Sequence, residues 1–160
     1  MATNKQRISA AAALATAIAI PAEGLRRVAY YDPPGILTVC WGHTGSDIVK
    51  NKVYSLNECK KLLEPDMLKA IEEVDQCVPN LPINVLGAFS DAVFNSGSKI
   101  ACNKNKSTAA RYLWQGKLIE ACNELPKWNK SNIGGIMIVL PGLTKRRLQE
   151  QQLCLTGELK

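Results

Sequence analysis

The sequence predicts an α+β fold, with a small β-sheet near the N-terminus and a larger helical part after it. Residues 28–48 are rich in Tyr, Val, Ile and Thr and contain two clusters of turn-forming residues, at 32–35 and 42–45. From residue 55 onward the apolar residues recur mostly at helical spacing. The chain has 160 residues, 46% of them hydrophobic, which is enough for one domain with a substantial core.

Helix signals mark most of the chain after the sheet. Ser55 and Glu58 form a capping box, which predicts a helix running toward Cys77 that Pro65 kinks or divides. The apolar run 136–140 is too short to assign to a helix or a strand. We expect further helices at 85–95, 107–115, 118–125 and 143–155, and loops at 78–82 and 128–135.

Residues 1–22 have the pattern of an export segment. Lys5 and Arg7 are the only charged residues before Glu23, and residues 8–22 are mostly alanine and isoleucine. As a helix, residues 8–22 span roughly 22 Å, less than the roughly 30 Å of a hydrocarbon core. The residues alone leave three alternatives: a cleaved signal peptide, an uncleaved signal that anchors and is later released, and a helix of the folded domain.

Charge and cysteine content limit the partners and the compartment. The net charge of +6 fits solubility, and it also fits an anionic membrane face, the bacterial wall or a nucleic acid. Little interleaving of basic and aromatic residues argues against nucleic acid. No C-x-x-C pair and a single histidine argue against a structural zinc site. Six cysteines suit disulfides in an oxidising compartment, with free thiols in a cytosolic protein as the alternative, and their pairing is open.

Two carboxylates and a hydroxyl could meet in a cleft between a helix end and the sheet. Glu23 follows the apolar segment, Asp32 begins the first turn cluster, and Thr38 lies on the strand after it. Glycoside hydrolysis needs one protonated and one ionised carboxyl group beside the same bond. From their spacing alone, structural roles explain these residues better than catalysis does: Glu23 as an exposed side chain, and Asp32 as the residue that caps the turn before Pro33.

The spacing resembles the catalytic signature of the phage lysozymes typified by the T-even phages, in which Glu, eight residues, Asp, five residues and Thr follow one another. Further similar motifs are Thr38–Gly45, with its Gly-His turn, Phe94–Gly97 and Gly142–Arg147. The resemblance covers residues 23–156. The cysteines and the N-terminal segment depart from the T-even pattern and are similar to lambdoid endolysins with a signal-arrest-release segment.

The resemblance implies a lysozyme-like fold, with a small N-terminal β-sheet lobe, a larger helical C-terminal lobe and an active-site cleft between them. It implies hydrolysis of the β-1,4 bond between N-acetylmuramic acid and N-acetylglucosamine by an inverting route. Glu23 would be the acid, and Asp32 with Thr38 would handle the water. No metal or organic cofactor is expected.

The resemblance also implies roles for residues around the cleft. Phe94, Ser107, Asn123 and Thr44 would bind substrate, and His43 would support the fold. Core packing explains Phe94 about as well, and Ser107 also fits a helix N-cap. For the cysteines we expect the pairs Cys40–Cys59, Cys77–Cys102 and Cys122–Cys154.

For the whole chain we expect a signal-arrest-release (signal-anchor) segment at 1–22 and a catalytic domain at 23–160. Residues 8–22 would associate transiently with the inner membrane and hold Glu23 at its face, before release to the host periplasm. Peptidoglycan glycan strands would be the partner of a monomeric enzyme. A lytic transglycosylase and a non-catalytic peptidoglycan-binding module are the alternatives. Asp32 and Thr38 favour hydrolysis over the first, and the presence of both carboxylates, Glu23 and Asp32, argues against the second.

Overall fold

The structure is a computed structural model that describes residues 3–159. Residues 1 and 2 of the expected N-terminal segment, and residue 160 of the expected catalytic domain, lie outside the described residues. The helices are α1 (Asn4–Glu23), α2 (Leu56–Cys77), α3 (Ile83–Ser96), α4 (Lys99–Cys102), α5 (Thr108–Trp114), α6 (Leu118–Glu124) and α7 (Pro141–Thr156). The strands are β1 (Arg26–Tyr31), β2 (Leu37–Cys40), β3 (His43–Thr44), β4 (Lys130–Ile133) and β5 (Ile136–Val139).

Helix α1 is part of the helical core in this state, and it continues across residue 22 to Glu23. Three of its alanines, Ala11, Ala15 and Ala19, are fully buried, and α3 is its main neighbour. Gly87 of α3 allows the close approach, because a Cβ there would lie 3.2 Å from the carbonyl oxygen of Ala11. Within residues 3–159, no helix is both long enough and apolar enough to cross a membrane.

Strands β1, β2 and β3 form an antiparallel sheet in that order, as the early β-rich segment predicts. In its register Tyr30 pairs with Thr38, and Thr38 pairs with Thr44. Because directly paired residues project on the same face of a sheet, these three side chains share one face. That face forms part of the cleft described below.

Helix α2 joins the two lobes. Its capping box forms as predicted, with the amide of Glu58 donating to Ser55 Oγ, and it continues through Pro65. Leu63 packs in the small core beneath the sheet, whereas Met67 and Ile71 pack in the larger helical core. The lysozyme-like two-lobe arrangement expected from the resemblance is confirmed.

A second hairpin, β4 with β5, corrects the expectation of a loop at 128–135 followed by an unassigned apolar run. The two strands pair from Lys130 with Val139 to Ile133 with Ile136, and Gly134 and Gly135 form the turn at positive φ. Two runs joined by a Gly-Gly pair are a hairpin signal. The two strands lack the alternation of apolar and polar residues that indicates a strand, because β4 is mostly polar and β5 is entirely apolar although its side chains are exposed.

Three disulfide bonds join the expected pairs, Cys40–Cys59, Cys77–Cys102 and Cys122–Cys154. The first joins the sheet to α2, and the last joins α6 to the closing helix α7. Disulfides that close loops restrict the unfolded chain and so stabilise the fold. The predicted helices at 85–95, 107–115, 118–125 and 143–155 correspond to α3, α5, α6 and α7.

Candidate active site

A cleft of about 560 Å³ lies between the first sheet, the C-terminal end of α1 and the second hairpin. Glu23, Asp32 and Thr38 all line it. The helix brings Glu23 to the cleft and the turn after β1 brings Asp32. The arrangement therefore puts two carboxyl groups and a hydroxyl around one substrate-sized space, as glycoside hydrolysis requires.

Glu23 is the last residue of α1 and is fixed on two sides. Its Oε1 accepts a hydrogen bond from Arg146 Nη1 at 2.5 Å. Its Oε2 lies against Gly42, where a Cβ would come within 2.8 Å of that oxygen. Gly42 has φ +75°, a conformation that favours glycine, so this turn residue allows the carboxyl group to sit beside the backbone.

Arg146 on α7 is itself held by a buried carboxylate. Its Nε and Nη2 donate to the two oxygens of Asp91 at 2.9 and 2.8 Å, and Asp91 is fully buried in α3. Burial lowers the pKa of Arg146, but Asp91 and Glu23 outweigh it and raise that pKa above the ordinary value. Arg146 is therefore a permanent cation behind Glu23.

Asp32 lies in a tight turn whose backbone orients it. Its Oδ1 accepts a hydrogen bond from the amide of Ile36 at 2.7 Å, and its own amide donates to the carbonyl of Ile36. These two hydrogen bonds fix the position of the Asp32 carboxylate in the lining of the cleft.

Thr38 is almost completely buried on β2, yet it borders the cleft. Its hydroxyl donates to the carbonyl of Ile36 at 2.9 Å. With its hydrogen used in that way, the oxygen has lone pairs free to accept a hydrogen bond from water. Thr38 and Asp32 share Ile36 as a backbone partner, which fixes their relative positions.

Tyr30 and Arg146 are site residues to which the sequence gave no role. Tyr30 lines the cleft, and burial together with the charges of Glu23 and Asp32 raises its pKa, so its hydroxyl stays protonated and can donate. Its pairing with Thr38 could have been inferred only from the strand register. The sequence did contain one indication of Arg146: Asp91 lies within the mostly apolar run 85–95, and a carboxylate buried there needs a cationic partner.

Two of the four expected substrate-binding residues reach the cleft. Thr44 and Phe94 line it, and Phe94 also packs against both cores. Ser107 does not reach the cleft: it is fully buried, its hydroxyl donates to the carbonyl of Ile100, and it N-caps α5. Asn123 is exposed on α6 and accepts a hydrogen bond from Gln151, away from the cleft lining. Neither residue lines this cleft, so the substrate contacts expected of Ser107 and Asn123 stay predictions.

His43 lies next to the cleft residues Gly42 and Thr44 and is mostly buried. Its Nδ1 lies 2.6 Å from Asp66 Oδ2, and its Nε2 lies 3.0 Å from Asp47 Oδ1. Burial lowers the pKa of His43, but the two carboxylates together outweigh it and raise that pKa. These contacts tie β3 to α2, which fits the supporting role expected of His43.

The second hairpin supplies a wall of the cleft that the sequence did not predict. Lys130, Ser131 and Asn132 of β4 line it together with the turn at Asp32 and Pro33. Among residues 3–159, no group of three or more His, Cys, Asp or Glu side chains is arranged to hold a metal ion.

A sequence model of the phage lysozyme family matches residues 21–150. The chain belongs to the phage lysozyme family. It is therefore a glycoside hydrolase of the lysozyme class, with the wall-lysing role of an endolysin. The match begins just before Glu23 and extends through Arg146, so it includes every cleft residue named above.

Curated relatives and solved structures agree with this family. The SAR-endolysin of Bacteriophage PS119 is 37% identical over 85% of this chain and 78% of its own length. The SAR-endolysin of Enterobacteria phage P21 is 35% identical over 85% of this chain and 79% of its own length. The active form of P1 phage endolysin Lyz has a TM-score of 0.77 at 27% identity, covering 90% of this chain and 84% of its own. The secreted inactive form of Lyz has a TM-score of 0.54 at 27% identity, covering 71% and 76%.

Proposed function

We propose that this phage lysozyme hydrolyses the β-1,4 bond between N-acetylmuramic acid and N-acetylglucosamine in peptidoglycan, with Glu23 as general acid and Asp32 as general base. The observation that carries the proposal is that both carboxyl groups line one cleft, in two different environments. Glu23 is fixed by a guanidinium and a close backbone, whereas Asp32 accepts a backbone N–H in a turn. Glycoside hydrolysis uses two carboxyl groups beside the same bond in two different roles, and two different surroundings suit that division.

In this mechanism Glu23 Oε1 stays on Arg146, and the transferable proton is carried by Oε2. It passes to the glycosidic oxygen as the bond to the sugar breaks. Asp32 accepts a proton from a water molecule, whose oxygen attacks the anomeric carbon from the opposite face. The second O–H of that water donates a hydrogen bond to Thr38 Oγ1, whose own hydrogen is donated to the carbonyl of Ile36, and this hydrogen stays on the oxygen in the product. The product has the inverted configuration.

The products distinguish this reaction from its alternatives. Digestion of purified peptidoglycan in ¹⁸O-labelled water should give reducing ends that carry one labelled oxygen, measured by mass spectrometry. Anhydro ends without label would show that the enzyme is a lytic transglycosylase, for which Asp32 and Thr38 are not needed. Binding without any new ends would show a non-catalytic module. A matched reaction with Glu23→Gln controls for contaminating hydrolases.

We also propose that residues 8–22 tether the chain to the inner membrane before they fold as α1, and that release delivers the active enzyme to the host periplasm. The names of the SAR-endolysin relatives support this. So does the greater similarity of the described fold to the active form of Lyz than to its secreted inactive form. Glu23 ends α1, so it can be held by Arg146 only when α1 is packed in the domain.

Fractionation tests the tether. Host cells that express the full chain should contain a membrane-bound form and a free form, and only the free form should release soluble muropeptides. Equal specific activity in intact membranes and in the soluble fraction would contradict the proposal. So would a complete absence of the chain from membranes at all times after synthesis.

A further inference from the structure

Four ionisable side chains form a buried cluster behind Glu23. Asp91 comes from α3, and Arg146, Arg147 and Glu150 come from α7. Each of the four is at most 3% exposed. Burying a charge costs free energy unless the charge is paired, so the pairing within this cluster decides which charges are compensated.

The two arginines have separate partners. Arg147 Nη2 donates to Glu150 Oε1 at 2.8 Å, and its Nε lies 2.7 Å from Glu150 Oε2. Burial raises the pKa of Glu150, and this contact with Arg147 opposes the rise. Arg146 instead takes Asp91 in a two-point contact, with Glu150 no nearer than 3.9 Å. Asp91 is therefore the counter-charge of Arg146.

The contact with Asp91 leaves one guanidinium nitrogen of Arg146 for Glu23. Nε and Nη2 are occupied by Asp91, and Nη1 reaches Glu23 Oε1. Phe94 covers the guanidinium, with its ring centre 5.9 Å from the Arg146 Cζ. Asp91 and Phe94 thus set the orientation of Arg146, and its Nη1 is the nitrogen that reaches the carboxyl group of Glu23.

The counter-charge also has an electrostatic consequence. An unpaired cation beside Glu23 would favour the ionised carboxylate, and an ionised Glu23 cannot donate a proton. Asp91 is ionised, because Arg146 outweighs the effect of burial and holds the pKa of Asp91 below its ordinary value. The other charged or titratable groups beside Glu23 and Arg146 are Tyr30 on β1, which the charge of Glu23 influences, and Arg147 with Glu150 on α7. Asp32 shares the cleft with Glu23, and Arg26 lies over the ring of Tyr30.

We propose that Asp91 is a positioning residue for the acid: it orients Arg146 toward Glu23 and offsets the guanidinium charge, so that Glu23 remains able to carry a proton. This inference rests on the proposed function, in which Glu23 is the general acid. Asp91 does not touch the cleft. It acts on the reaction only through Arg146.

The pH dependence of kcat/KM for Asp91→Asn tests the inference, because asparagine keeps the size of the side chain and removes its charge. We expect the alkaline limb of the profile on purified peptidoglycan to move to lower pH by about one unit or more. Asp75→Asn is the matched control, since it removes a carboxylate from another arginine far from the cleft, and its limb should stay at the wild-type position. An unchanged limb in a folded Asp91→Asn enzyme would overturn the inference.

A second variant covers the case in which Asp91→Asn does not fold. The double variant Asp91→Asn with Arg146→Met removes both charges, and its alkaline limb should lie at or above the wild-type position. A limb below wild type in the double variant would also overturn the inference. Failure of the wild-type enzyme to hydrolyse peptidoglycan would instead reject the proposed function, so the two failures are distinguishable.

Discussion

The two ends of helix α1 are each tied to the domain by one arginine–carboxylate contact. The two contacts differ in how deeply they are buried and in whether the arginine also binds a second carboxylate. At the N-terminal end, Arg7 Nη2 lies 2.5 Å from Asp75 Oδ1, and the two side chains are 17% and 23% exposed. At the C-terminal end, Glu23 meets an arginine that is 3% exposed and already holds Asp91. The first contact fastens the helix to α2, whereas the second connects a cleft carboxyl group to a buried charge cluster. The same chemistry thus stabilises one end and, in the proposed mechanism, holds the general acid at the other.

The largest expected effect comes from Asp32, a cleft carboxylate that takes part in neither of these two contacts. Asp32→Asn should lower kcat on purified peptidoglycan by about 10² to 10⁴-fold, because an amide cannot act as a general base. Asparagine keeps an oxygen that can accept from Ile36, so the turn and the melting temperature should change little. Activity within threefold of wild type would mean that Asp32 does not activate the water.

The backbone of Gly42, which lies against Glu23 at the C-terminal end of α1, gives the next largest expected effect. Gly42→Ala should lower kcat by roughly 10 to 10²-fold, because its Cβ would displace Glu23 Oε2, and small misplacements of a catalytic group are costly. Gly116→Ala is the matched control: it has the same φ of +75° but no atom within 4 Å of its Cβ position. Initial rates of the two variants should therefore differ, although both carry the same backbone strain. Equal losses would show that strain alone is responsible.

The N-terminal contact should affect stability and leave the chemistry unchanged. Asp75→Asn should lower the free energy of unfolding by about 2 kcal/mol, since it weakens a hydrogen bond between charged groups. That corresponds to a melting temperature roughly 4 to 8 °C lower for a domain of this size. Glu72→Gln, an exposed site on the same helix, is the control for the thermal melts. A fall in kcat below the melting range would contradict the division of roles between the two ends.

The smallest expected effect is a pH dependence of stability from His43. Asp66 and Asp47 raise the pKa of His43 against burial, so its contribution to stability is fully present below the ordinary value of about 6.5. The contribution is lost as the pH rises through the higher value in the folded state. The difference in melting temperature between wild type and His43→Gln should therefore shrink on going from mildly acidic to alkaline buffer. A difference that grows over that range would contradict the assignment.

Local features of the fold could be predicted from the sequence because they depend on neighbouring residues. The capping box at Ser55 and the turn at Asp32 need only a few adjacent side chains, and both form. Family spacing also placed Glu23, Asp32 and Thr38 together, and all three line the cleft.

Other features required knowledge of long-range packing. Arg146 and Asp91 are 55 residues apart in the sequence, so no local pattern reveals that they pair. Ser107 has the signature of an N-cap, and that signature cannot tell whether the hydroxyl is buried or reaches a ligand. Asn123 is exposed on α6 and does not line the cleft, and which residues of α6 are exposed depends on how α6 packs against α7. The second hairpin has its apolar residues exposed, so the alternation that indicates a strand is absent.

The activity of Glu23→Gln measured beside Glu72→Gln tests the central claim most directly, because both variants replace a glutamate by its amide, one in the cleft and one on the surface. The claim is that Glu23, held by Arg146, supplies the proton that breaks the glycosidic bond. Initial rates of muropeptide release from purified peptidoglycan should fall by at least about 10²-fold for Glu23→Gln and stay near wild type for Glu72→Gln. A folded Glu23→Gln enzyme that releases muropeptides at the wild-type rate would contradict the account.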